Sequence, residues 1–120
     1  ANLRCARANI DASGHTESVK LSLADMTTLP LLSGSVSALC ADLPFGQLSG
    51  SHVANQRLYP RMLAEAARVA KSGARFVLIT HEVRLMESLL RLDHDWSTER
   101  EIRINLRGLH PRIYVLRRSV

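Results

Sequence analysis

Two short, almost wholly apolar runs, Val36-Ser37-Ala38-Leu39-Cys40-Ala41 and Phe76-Val77-Leu78-Ile79, flank a segment whose apolar residues recur at helical spacing. A strand with no polar alternation suits the interior of a parallel sheet that is covered on both faces. Between the runs, Leu63, Ala66, Ala67 and Ala70 line one helical face. Pro60 suits the first turn of that helix and Gly73 its stop. Strand, helix and strand in this order predict an α/β chain with a mostly parallel sheet and helices on its faces.

The flanking segments extend the pattern. Leu3, Ala6 and Ile10 recur at helical spacing over Ala1 to Ala12, and Gly14 follows as a C-terminal stop. Val19-Lys20-Leu21-Ser22-Leu23 alternates apolar and polar residues, which predicts a half-exposed strand. Val83, Met86, Leu89 and Leu90 mark another helix, ending near Leu92. Beyond it Arg100, Ile102, Ile104 and Leu106 alternate with Glu101, Arg103 and Asn105. Gly108 and Pro111 turn the chain, and Ile113-Tyr114-Val115-Leu116 returns as an antiparallel hairpin.

Charge and composition narrow the partners. The chain carries 16 basic and 11 acidic residues, and 14 of the basic ones are Arg. The excess lies wholly in residues 61–120, which hold 12 basic and 7 acidic residues. A basic half is compatible with a phosphate-bearing partner, and equally with a solvated face in an Arg-rich chain. Cys5 and Cys40 form no Cys-x-x-Cys pair and sit in apolar surroundings, which fits a reducing compartment. His15, His52, His81, His94 and His110 have no zinc-ligand spacing, so no metal site is expected. No apolar run approaches the ~20 residues that a membrane helix needs, and no membrane partner is expected.

In open α/β sheets, ligands lie beyond the carboxyl ends of the strands. After Ala41 comes Asp42-Leu43-Pro44-Phe45-Gly46. The exocyclic amine of a base is a poor nucleophile because its lone pair is delocalised into the ring. Asp42 can accept one amino hydrogen, and a backbone carbonyl in a loop stiffened by Pro44 can accept the other. Both bonds favour a pyramidal nitrogen whose lone pair points at an incoming methyl group. Phe45 can stack on the base. The same residues also suit an ordinary turn in which proline and glycine set the backbone angles.

This run resembles the Asp-x-Pro-Phe-Gly motif of the THUMP-associated RNA guanine-N2 methyltransferases, within the broader Asn/Asp-Pro-Pro-Tyr/Phe class. The resemblance continues in order along the chain. Ala6-Arg7-Ala8-Asn9-Ile10 with Gly14 is similar to the helix after the family's second strand. Asp25 precedes Leu29-Pro30 as the family's acidic residue does. Gly50-Ser51 and Leu58-Tyr59-Pro60 resemble the loop and helix start after the motif. Val77-Leu78-Ile79-Thr80-His81 resembles the fifth strand. Asn105-Leu106, Gly108-Leu109 and Ile113-Tyr114-Val115-Leu116 resemble the terminal hairpin.

The resemblance implies an incomplete Rossmann-like class I methyltransferase sheet, with the closing hairpin antiparallel and a full strand order of 3-2-1-4-5-7-6. It implies S-adenosylmethionine as cofactor, with Asp25 on the adenine amino group and Met26 on the adenine face. It places Asp42, Pro44 and Phe45 in the catalytic role, and Leu43 and Gly46 against the substrate. Residues 1–120 then form a partial methyltransferase domain. The Gly-rich donor loop, the acidic ribose residue and the THUMP domain have no counterpart in it, so the chain alone is expected to be inactive. Gln47-Leu48 stands where relatives often carry basic residues. The implied activity is formation of N2-methylguanosine in RNA, with tRNA as the first candidate and small nuclear RNA as the second, in the cytoplasm or, in a eukaryote, the nucleus. Two rivals keep the same residues: a non-catalytic RNA- or protein-binding module, and an enzyme acting on another base. The resemblance also implies a small zinc-binding activator subunit on the edge strand Val19–Leu23. Without its family neighbours that strand is expected to be unpaired, or paired with a second copy.

Overall fold

The computed structural model describes residues 2–44 and 51–120. Its elements are α1 (Asn2–Ser13), β1 (Val36–Asp42), α2 (Ser51–Val69), β2 (Ala70–Thr80), α3 (Val83–Leu92), β3 (Trp96–Arg103) and β4 (Arg112–Arg118). The four strands form one sheet in the order β1-β2-β4-β3. β1 and β2 run parallel, while β4 is antiparallel to both β2 and β3. This is the 4-5-7-6 portion of the expected strand order. At the hairpin tip Leu106 and Leu109 exchange both backbone hydrogen bonds, at 2.8 and 2.9 Å. Arg107 (φ 50°) and Gly108 (φ 84°) between them are both left-handed, as a two-residue hairpin turn twisted to match its strands requires.

Helices α2 and α3 cover one face of the sheet. α2 turns Tyr59, Met62, Leu63, Ala66 and Ala67 inward onto Phe76, Leu78, Tyr114 and Leu116 of β2 and β4, and α3 adds Met86. The helix differs from the expected one at both ends. It begins at Ser51, and Pro60 lies in its interior. A mid-helix proline costs roughly 3 kcal/mol through a lost backbone bond and a clash. Burial of five apolar side chains within nine residues, each worth about 1.5–3 kcal/mol when large, offsets that cost. At the other end Gly73 does not close the helix, because β2 already starts at Ala70. The β1–β2 register slips between Val36 and Ala38, and Gly73 adopts φ 78° within that irregular stretch.

Two strand expectations need correction. β1 forms over the expected residues, but it is an edge strand in which Ser37, Ala38, Cys40 and Asp42 are exposed. Its apolar composition suits a covered strand, yet among the described residues nothing pairs its outer side. Val19–Leu23 is unpaired, as expected of it without its family neighbours, and so forms no strand. A strand exists only where neighbouring backbone groups pair with it, and none of the described strands lies beside this segment. Leu21, Ser22 and Leu23 instead border a groove against Leu3, Arg4 and Arg7 of α1. The following stretch is strapped to α2. The Leu29 amide donates to Glu65 at 2.6 Å, and Arg68 donates to the carbonyls of Leu29 and Leu31, both at 3.0 Å. Arg68 and the Leu29 amide together hold the Glu65 carboxyl down at a pKa of about 2.

Trp96 joins the hairpin to the helical layer. Its buried indole stands 5.5 Å from the Phe76 ring and donates from Nε1 to the Leu63 carbonyl at 3.0 Å. Trp96→Phe keeps an aromatic ring and removes that donor, so unfolding in urea should show a loss of about 1–3 kcal/mol. An unchanged midpoint and slope would mean that the bond does not tie the layers together.

Candidate functional site

The carboxyl end of β1 is built one peptide at a time. Asp42 pairs with Ile79 as the last rung of the parallel ladder, and its side chain is exposed. The Leu43 amide continues the ladder by donating to the Ile79 carbonyl at 3.0 Å. The Leu43 side chain, 2% exposed, enters the core. Pro44 then fixes its own φ, and its carbonyl accepts two hydrogen bonds from α2. Tyr59 Oη donates at 2.9 Å and Asn55 Nδ2 at 3.2 Å.

These bonds extend to the end of β2. Tyr59 Oη lies 2.8 Å from Thr80 Oγ1, which accepts from the Glu82 amide at 2.9 Å. Asn55 Nδ2 also donates to Glu82 Oε2 at 3.2 Å, and His52 Nδ1 lies 2.7 Å from the same oxygen. Tyr59, Asn55 and Thr80 are all at most 2% exposed. Burial raises the Tyr59 phenol above its ordinary pKa, the Thr80 bond opposes this, and the charges of Glu82 and Asp42 add to it. The phenol is therefore a proton donor at neutral pH.

The second candidate region lies on the segment before β1. Asp25 is exposed and closes a tight local turn. Its Oδ1 accepts from the Thr27 amide at 2.8 Å and from the Thr27 hydroxyl at 2.7 Å. The amide bond first, and then the hydroxyl bond, hold its carboxyl below the ordinary value. A cavity of about 360 Å³ opens beside it, lined by Asp25, Thr27, Ala54, Arg57, Leu58 and Arg61. Met26 is not among the lining residues. It is half-buried and packs against the core. Among the described residues no cluster of His, Cys, Asp or Glu could hold a metal ion. No described helix is long and apolar enough to cross a membrane.

The structure thus brings Asp42, Leu43 and Pro44 together at one strand end and sets Asp25 on a separate turn. Phe45 and Gly46 lie outside the described residues. The sequence reading missed Asn55, Tyr59, Thr80 and Glu82 as parts of the site. A signal was present: His52, Asn55 and Tyr59 are spaced three and four residues apart, which is one helical face. Starting the helix at Pro60 hid it.

Residues 1–112 match the family described as RMKL-like, methyltransferase domain. The bovine (Bos taurus) protein named tRNA (guanine(6)-N(2))-methyltransferase THUMP3 is 37% identical over 97 residues, or 79% of this chain. The chain spans 19% of the length of that relative. Among solved structures, TrmN from Thermus thermophilus superposes with a TM-score of 0.79 at 25% identity, covering 94% of this chain and 32% of that one. The cyclase SpnF superposes with a TM-score of 0.74 at 14% identity, covering 98% of this chain and 62% of that one. At that identity the likeness is one of fold alone.

Proposed function

We propose that this chain, which belongs to the RMKL-like methyltransferase domain family, carries the amine-holding corner of an enzyme that methylates the N2 amine of guanine in RNA, tRNA first among the candidates. One observation carries the reading. At the open end of β1, a carboxylate and a backbone carbonyl stand on consecutive residues, Asp42 and Leu43, and the backbone is pinned on both sides. The Leu43 amide is held by Ile79, and the Pro44 carbonyl by Tyr59 and Asn55. The name of the bovine relative supports RNA as the substrate.

Asp42 accepts one amino hydrogen and the Leu43 carbonyl the other. The Pro44 carbonyl is already occupied by two donors and is turned toward α2. Drawing both hydrogens to one side takes the nitrogen lone pair out of conjugation and aims it outward. S-adenosylmethionine supplies the electrophilic methyl group, and the methylated amine gives up one proton to water. Phe45 and Gly46 are proposed to contact the base. Asp25 fits the adenine amine, because an ionised carboxylate offers about four acceptor positions and Thr27 uses two. Ala54 and Leu58 give the adjoining cavity an apolar wall. Met26 supports the Asp25 turn from the core side.

The remaining donor contacts are assigned to parts of the full-length protein outside residues 1–120. The chain covers only about a fifth of its curated relatives, and the outer edge of β1 would receive the strands that carry those contacts. Calorimetry on residues 1–120 alone should detect no S-adenosylmethionine binding at micromolar concentration, and a micromolar Kd would refute this division. The segment Val19–Leu23 is proposed to dock a small zinc-binding activator subunit. Val19 and Leu23 are 43% and 85% exposed, and one charged residue, Lys20, is all that guards the backbone. Leu21→Pro in the full-length protein removes one backbone donor. It should abolish co-purification of that subunit without lowering the melting temperature, whereas an unchanged yield of the complex would contradict the assignment.

The decisive variant is Asp42→Ala in the full-length enzyme. The lost bond is worth on the order of 3 kcal/mol by analogy with oxyanion-hole donors. Methyl transfer from labelled donor to tRNA should lose about a hundredfold in kcat with donor affinity retained. A fall of less than about fivefold would remove Asp42 from the role of amine acceptor.

A further inference from the structure

The hydrogen bonds behind the strand end run in one direction. Pro44's carbonyl can only accept, so the single phenolic proton of Tyr59 points to it. The Thr80 hydroxyl, 2.8 Å from the phenol oxygen, must then donate to Tyr59. Thr80 Oγ1 in turn accepts from the Glu82 amide. The chain therefore reads Glu82 amide to Thr80 to Tyr59 to Pro44, with every proton assigned. Asn55 closes a second path, since its two amide protons go to the Pro44 carbonyl and to Glu82. Bonds linked in series in a buried setting polarise one another, and each is worth more than it would be alone.

We infer that Tyr59 and Asn55 are positioning residues for methyl transfer, acting through the Pro44 carbonyl to aim the neighbouring Leu43 carbonyl at the substrate amine. The inference rests on the proposed function above. The Leu43–Pro44 peptide plane is shared by the carbonyl that receives the amine and the ring whose φ is fixed. Its orientation is set upstream by the Leu43 amide on Ile79 and downstream by the Pro44 carbonyl on α2. Removing the phenol hydroxyl leaves the downstream side held by Asn55 alone. The Leu43 carbonyl is then less firmly directed, although Tyr59 and Asn55 are both buried behind the strand end. A helix that also forms the core thus sets the geometry of the reacting corner.

Two variants of the full-length enzyme separate positioning from plain stability. Tyr59→Phe keeps the buried ring and leaves the Thr80 hydroxyl without its acceptor. It should lower kcat by about tenfold to a hundredfold, as a small misplacement does, with KM for the donor within twofold. It should also speed amide exchange at Leu43. Trp96→Phe removes a buried donor that bonds none of these groups and serves as the stability control. Its melting temperature should fall while kcat stays within twofold of wild type. A Trp96→Phe enzyme whose kcat falls as far as that of Tyr59→Phe overturns the inference. So does a Tyr59→Phe enzyme within twofold of wild type in kcat, or unchanged exchange at Leu43. Asp42→Ala measured alongside distinguishes the two levels. An inactive Asp42 variant beside a fully active Tyr59 variant defeats the positioning role alone, whereas an active Asp42 variant defeats the assignment of the corner itself.

Discussion

The Pro44 carbonyl accepts hydrogen bonds from two side chains of a single helix, and the carboxyl end of the sheet is organised around it. A carbonyl at a strand end ordinarily faces water, where its direction is free. Here Tyr59 and Asn55, both buried, bring it against α2 at 2.9 and 3.2 Å. That contact joins the first strand to the crossover helix just where the ladder stops. It also couples the strand end to Thr80 and Glu82 at the end of β2. The two parallel strands and the helix between them therefore close on one another through polar groups at the top and through Met62, Leu63 and Ala66 below.

The same contact explains why α2 tolerates Pro60. The helix must extend far enough toward its N-terminus to bring Asn55 under the Pro44 carbonyl, and far enough the other way to bury Ala66 and Ala67. A proline within that span costs one backbone bond, and the packing of the helix on β2 and β4 outweighs it. The fold by itself does not dictate the chemistry. The cyclase SpnF has a closely similar arrangement at 14% identity, so the functional reading has to come from what stands at the strand end.

Much of the architecture was legible because it is local. The alternation in Ile102, Ile104 and Ile113 to Leu116 marked the hairpin, and Gly108 marked its turn. Val83, Met86 and Leu90 marked α3. The place of Asp42 and Pro44 at a strand end was legible because the apolar run stops at Ala41. What escaped depends on partners distant in sequence. Val19 to Leu23 has the pattern of a strand, but pattern supplies no neighbour, and the segment settles beside α1. The hydrogen bonds of Tyr59 and Asn55 go to a backbone carbonyl, which leaves no trace in residue identity. Pro60 read as a helix start concealed the polar face on which both lie.

The central claim is that the Asp42 carboxylate and the Leu43 carbonyl hold the amine that receives the methyl group. A crystal structure of the full-length protein with guanosine-containing RNA and S-adenosylhomocysteine tests it most directly. The account predicts the guanine N2 atom within about 3 Å of both oxygens, with the Pro44 carbonyl still bound to Tyr59 and Asn55. A guanine whose amine faces other acceptors, or one held by the Pro44 carbonyl with Tyr59 released, would contradict it.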